Sequence, residues 1–201
     1  MMEYTIIIAV FVIGAVISIR YFGNLLDFVT EKVNSRGLKN GPWKTHLGVG
    51  RKHTSRIEKA AIARIGLGAN DSDETIYWNA FVDDENNDLR SENEYQIIFS
   101  SEPLVRYKDK GFWSITVYGN DKFLIPNPYN KYMVRSGVDT GVSKDSKFSI
   151  FLSRNIPADT ANWIPLSDTD ENFTIAFRCY VPENEMITNA KNIKLPSITK
   201  V

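Results

Sequence analysis

Cysteine is nearly absent from this 201-residue chain, histidine occurs twice, and the 24 basic and 24 acidic side chains cancel. The lone Cys179 excludes an intrachain disulfide and a cysteine-based zinc site. It alternates with Arg178 and Tyr180 in a β-branched, aromatic run, which reads as a buried strand cysteine rather than a nucleophile. His46 and His53 both precede the strand-rich part, and neither a nucleophile elbow nor its flanking glycines occur. No catalytic residue is therefore assigned. Asp83, Asp84, Glu85 and Asp88 gather at one expected hairpin tip, where solvation accounts for them. Asp84, Asn86 and Asp88 have the spacing of a calcium loop, yet Leu89 replaces the turn glycine and Tyr95 the bidentate glutamate. Neither metal nor cofactor is expected.

The zero net charge hides an asymmetry. Residues 20 to 64 carry ten Lys/Arg against three acids, whereas residues 65 to 201 carry 14 against 20. No charge interrupts Tyr4 to Ile19, and the run Ile6 to Ile13 is too continuously apolar for a surface helix. A single span over residues 4–26 is expected, with Arg20 snorkelling and Tyr21, Phe22, Leu25 and Leu26 extending the apolar stretch. A cleaved signal peptide is the competing reading, opposed by a start without basic residues and by the lack of a small-x-small site after Ile19. The positive-inside rule places the rest of the chain on the cytoplasmic side. Arg20, Lys32, Arg36 and Lys39 are candidate contacts to anionic headgroups, each contributing about 1 kcal/mol; a solvated linker and helix face is the alternative. Nucleic acid is not expected, because these cations are not interleaved with an aromatic platform.

Three regions are expected: an anchor helix and its extension over 1–36, an irregular connector over 37–50 in which Trp43 docks, and a β-domain over 51–201. That domain starts with a helix at about Thr54 to Ile65, capped by Thr54 or Ser55 and ended by Gly66 and Gly68. Strands follow over 75–83, 94–100, 112–118, 122–125, 132–135, 147–152 and 172–181. Gly119-Asn120-Asp121 supplies residues that tolerate a positive φ between two of them. Many short strands after one helix imply a mainly β, jelly-roll-like antiparallel β-sandwich.

Between Gly111 and Tyr132 the sequence GFWSITVYGNDKFLIPNPYNKY joins a half-buried strand to a rigid Asn-Pro corner. Trp113, Tyr118, Asn127, Asn130, Asn162 and Trp163 are the residue types that sugar or small-polar-ligand sites use, rings for stacking and amides for orientation. The same rings also suit a sandwich core, and the same amides suit turns.

Several landmarks recur in order: Gly41-Pro42-Trp43, Ala63 to Leu67, Glu74-Thr75-Ile76-Tyr77, Phe112 to Tyr118, Phe123 to Pro128 with Asn130 and Tyr132, Asn162 to Pro165, and Leu195 to Ile198. On these residues the chain resembles domain of unknown function family 1214, in its short, membrane-anchored form. The resemblance implies a β-sandwich and no reaction. It carries one departure, because family members usually have a glycine in the turn after the Tyr77 strand and Asp84 to Asp88 has none. Such domains occur in bacteria and in large DNA viruses of algae, and the 17 asparagines suit the latter.

Three functions follow as expectations. The first is a structural or interaction protein displaying its β-domain within an assembly, such as a virion minor capsid protein tying an internal membrane to the capsid. The second is a carbohydrate or small-polar-ligand module built on the six residues named above. An uncharacterised hydrolase is the third.

Overall fold

The computed structural model describes residues 2–35, 37–48, 55–65, 69–100, 106–137, 148–158 and 162–201. Two compact units divide the chain: Met1–Arg36 with Lys52–Ala69, and Gly37–Arg51 with Asn70–Val201. The short helix expected at the head of the β-domain thus groups with the anchor, and the expected connector groups with the sheets.

The first unit holds two helices, α1 (Met2–Ser35) and α2 (Arg56–Ile65). Apolar side chains cover α1 on all sides and remain exposed, Phe11 at 78% and Ile19 at 73%. Gly23, Leu26, Val29 and Thr30 form its half-buried stripe, with Ala61 and Ile62 buried on α2. These spacings are those of helix neighbours that pack along one face. A capping box starts α2: Ser55 Oγ accepts from the Glu58 N–H at 3.2 Å, and the Glu58 carboxylate accepts from the Ser55 N–H. Thr54, His53, Gly66 and Gly68 lie outside the described residues.

The second unit is a two-sheet sandwich. Its strands are β1 (Leu38–Asn40), β2 (Trp43–Thr45), β3 (Thr75–Ala80), β4 (Tyr95–Phe99), β5 (Tyr107–Tyr118), β6 (Met133–Arg135), β7 (Phe148–Ser153), β8 (Trp163–Pro165), β9 (Thr174–Pro182) and β10 (Ser197–Lys200), with a short helix α3 at Asn184–Thr188. One sheet has the order β1-β2-β3-β9-β5-β6 and the other β10-β4-β7-β8. All pairs are antiparallel except β7 with β8. The expected mainly β sandwich is present; its six-plus-four division and parallel pair differ from the four-plus-four division of a jelly roll.

Inward-facing residues alternate along the long strands, as period two requires. Ile76, Trp78 and Ala80 on β3, Trp113, Ile115 and Val117 on β5, and Ile175, Phe177 and Cys179 on β9 meet Ile97, Phe99, Ile150 and Leu152 of the smaller sheet. Phe99 ties the layers, stacking on Trp113 at 4.7 Å and meeting the edge of Phe177 at 6.0 Å.

Several sequence expectations change. Residues 38–45 are not an irregular connector but a hairpin, turned by Gly41 at φ 59° and paired through Trp43 with Ala80 of β3. Trp43 docks as expected, buried to 1%, its Nε1–H donating to Pro196 O at 2.7 Å. The strand expected over 122–125 reduces to one bridge between Tyr118 and Leu124. Lys122, rather than the preceding Gly-Asn-Asp, takes the positive φ of that turn, at 71°. A bulge interrupts β5 between Tyr107 and Phe112. Gly111 is required there, because a Cβ would sit 2.6 Å from Tyr180 O.

Candidate functional site

Strand register decides which chemistry shares the outer face of the six-stranded sheet. Tyr77 pairs with Arg178, Arg178 with Ser114, and Ser114 with Arg135, so these four form one row across β3, β9, β5 and β6. The adjacent row runs Lys39, Lys44, Asn79, Ala176, Thr116 and Met133. Every charged residue in the two rows is basic.

Arg178 is the best-defined group on this face. Its Nη1 donates to Thr116 Oγ1 at 3.0 Å and its Nη2 to Tyr118 OH at 2.7 Å. The guanidinium carbon lies 6.0 Å from the Tyr77 ring centroid and 5.4 Å from that of Tyr118, within the range of cation–π attraction. None of the ion pairs among the described residues involves it. The side chain is half-buried and held by neutral groups alone.

The Asn-Pro corner forms a second polar region. Asn127 Oδ1 accepts from the N–H groups of Tyr129 and Lys131, and its amide donates to Ile125 O and Lys131 O. That one side chain closes the corner. Asn130, exposed at φ 51°, completes the turn, its N–H donating to Asn127 O. Tyr129 then meets the Trp163 ring edge-on at 5.1 Å. Trp163 is buried, its Nε1–H shared by Ser153 O and Oγ. Asn162 beside it carries a buried Oδ1 without a hydrogen-bond partner.

The six ligand residues expected from sequence are therefore not one constellation. Trp113 stacks in the core, Tyr118 serves Arg178 on the outer face, and Asn127, Asn130, Asn162 and Trp163 gather near the corner, where Asn127 is fully engaged by its own loop. Of the expected headgroup contacts, Arg20 and Lys32 are exposed on α1, Lys32 lying over the Phe28 ring at 5.7 Å. Lys39 belongs to the basic outer face, and Arg36 lies outside the described residues. Arg178 is not among the residues expected from sequence; its alternation with Cys179 marks it as outward-facing, but only the register brings Tyr77, Thr116 and Tyr118 to it.

Residues 74–184, more than half of the chain, match the family described as protein of unknown function DUF1214. The chain belongs to that family. A solved protein from Vibrio parahaemolyticus shares the fold, with a TM-score of 0.58 and 22% identity over 74% of this chain and 36% of its own. A putative uncharacterized protein from Burkholderia cenocepacia is 14% identical over 92% of this chain and 41% of its own, with a TM-score of 0.41. This chain spans well under half the length of either. No curated protein matches it.

Within the DUF1214 domain, the turn after β3 contains no glycine at Asp84 to Asp88, and Asn86 takes φ 69° there, a conformation asparagine tolerates. Two of the clustered acids there are structural rather than merely solvated. Buried Asp83 accepts from the Glu85 and Asn87 N–H groups, and Asp84 accepts from the Ile198 N–H at 2.9 Å. Desolvation raises the Asp84 pKa, opposed by that hydrogen bond and assisted by Asp83. Among the described residues, no group of three or more His, Cys, Asp or Glu could hold a metal ion. Burial pushes the Cys179 thiol up to about 12, with Glu183 adding to the effect, so thiolate is scarce at neutral pH.

Proposed function

We propose that this DUF1214 protein is a single-pass membrane protein whose β-sandwich faces the cytoplasm and contacts a protein partner in a larger assembly. A virion minor capsid protein linking membrane to capsid is one instance. The observation that carries the reading is the predominantly apolar segment Val10–Lys32 within α1, 23 residues long, with none of its most hydropathic window buried inside the molecule. A hydrocarbon core requires about 20 such residues. The excess of basic over acidic residues between 20 and 64 supports the orientation. A signal sequence has the same length and composition, so the test separates the two. In membranes from cells expressing the full chain, carbonate-resistant pelleting of an uncut protein with a protease-accessible cytoplasmic domain is expected. Release of a shortened, soluble chain would overturn the anchor, and crosslinking that captures no protein would overturn the assembly.

A second reading, a small-polar-ligand module at the corner, is favoured by the unpartnered Oδ1 of Asn162, the residue preceding Trp163, whose ring Tyr129 meets edge-on. A buried acceptor is costly to leave unsatisfied, by about 1–3 kcal/mol, and a ligand hydroxyl would satisfy it. Glycan-array binding that Asn162→Ala abolishes is its expected signature; a blank array opposes it.

A further inference from the structure

We infer that the outer face of the six-stranded sheet carries a binding site for a phosphorylated ligand, with the phosphate seated on Arg178. This inference stands apart from the membrane and assembly reading.

The guanidinium has five N–H donors, and the described contacts engage only Nη1 with Thr116 and Nη2 with Tyr118. Those contacts fix its plane without neutralising it. Both acceptors are hydroxyls; that of half-buried Tyr118 retains a proton that can be donated to an anion alongside the remaining guanidinium N–H groups, whereas Thr116 is buried and serves to orient the fork. The flanking rings of Tyr77 and Tyr118 hold the cation further. A planar donor fork immobilised in this way suits bidentate recognition of an oxyanion.

Charge on either side selects phosphate over a single carboxylate. Arg135 stands in the same row with only Ser114 between, and Lys44 stands in the adjacent row on β2. At about 4.8 Å between strands, these cations spread across roughly 19 Å of sheet from β2 to β6. An array of that width matches a ligand with more than one negative charge, whether a lipid headgroup or a soluble phosphate compound.

The test uses the full chain in phosphatidylcholine nanodiscs, with the unfolding temperature as readout, since a ligand bound only by the native state raises it. One arm titrates inorganic phosphate and pyrophosphate at constant ionic strength. The other replaces part of the disc lipid with a phosphatidylinositol phosphate. A saturable rise in the soluble arm alone identifies a soluble ligand, a rise in the lipid arm alone a headgroup, and a rise in both a site that accepts either. In each case Arg178→Gln should abolish the rise, and Arg178→Lys should weaken binding about tenfold through loss of the fork. Arg135→Gln should weaken it a fewfold. No rise in either arm overturns the site, as does a rise that Arg178→Gln and Arg178→Lys leave intact. Should Arg178→Gln fail to fold, Tyr118→Phe decides: weaker binding supports the site, and unchanged affinity overturns it.

Discussion

Along β5, Trp113 and Tyr118 are five residues apart and face opposite worlds. Trp113 looks inward, where Phe99 and Phe148 stack on it and exposure falls to 7%. Tyr118 looks outward and accepts a hydrogen bond from Arg178. Composition groups the two as ligand-site aromatics, whereas the pleat separates them. The contrast extends to the whole sheet: its inner face is held by area removed from water, and its outer face by hydroxyls and rings arranged around a cation. Rings on the inner face carry stability, while those on the outer face are free to carry recognition.

Four substitutions press on that contrast, from the largest expected effect downward. Trp113→Ala should cost about 3–5 kcal/mol in urea unfolding, as large core truncations do; a loss below about 1 kcal/mol would remove the distinction between the faces. Asn127→Ala, which cuts four hydrogen bonds at the corner, should cost about 2 kcal/mol, measurable in the same melts. An unchanged midpoint would show that the prolines hold the corner alone. The inner face has a flaw of its own: Thr45 Oγ1 and Trp78 Nε1, on directly paired residues, are both buried without partners. Thr45→Val should therefore gain about 1 kcal/mol, and a loss would reveal a hydrogen bond to trapped water. On the outer face, Tyr118→Phe should cost no more than about 1 kcal/mol while altering anion binding.

A pH experiment probes the rim between the faces. Because the Asp84 carboxyl is raised in the folded chain, the fold binds its proton more tightly than the unfolded chain does. Its contribution is fully present below the unfolded value and is lost as pH rises through the raised one. Asp84→Asn keeps an acceptor for the Ile198 N–H and removes the titration. Comparing melts at pH 4 and pH 7, the variant should gain on the parent as pH rises; a constant difference would contradict the shift.

The long strands were legible because alternation over six or more residues leaves little ambiguity: β3, β5, β7 and β9 all lie where period two points. Five short elements, β1, β2, β8, α3 and β10, were not. In β1 and β2 three residues each leave no period to read; β1 pairs only with β2, and β2 pairs with β3, some 35 residues later in sequence. In β8 all three residues are buried, which erases the alternation a half-buried strand would show. The site suffered from distance instead. Arg178 lies 62 and 60 residues from its partners Thr116 and Tyr118, and no local pattern announces a register. The corner was readable at Asn127, whose bonds are all within its own loop.

The β1–β2 hairpin carries a consequence for the order of events at birth. Asn40 Nδ2 donates to Ile193 O and Trp43 Nε1 to Pro196 O, each pair 153 residues apart. Translation at about 5–20 residues per second separates the partners by roughly 8 to 30 seconds. Throughout that interval Trp43 has no carbonyl to receive its indole proton and the hairpin cannot close on the far edge of the sandwich. Locking of the sheet edge therefore waits for residues 193–196, and a chain cut short before Ile193 would carry an unlatched hairpin.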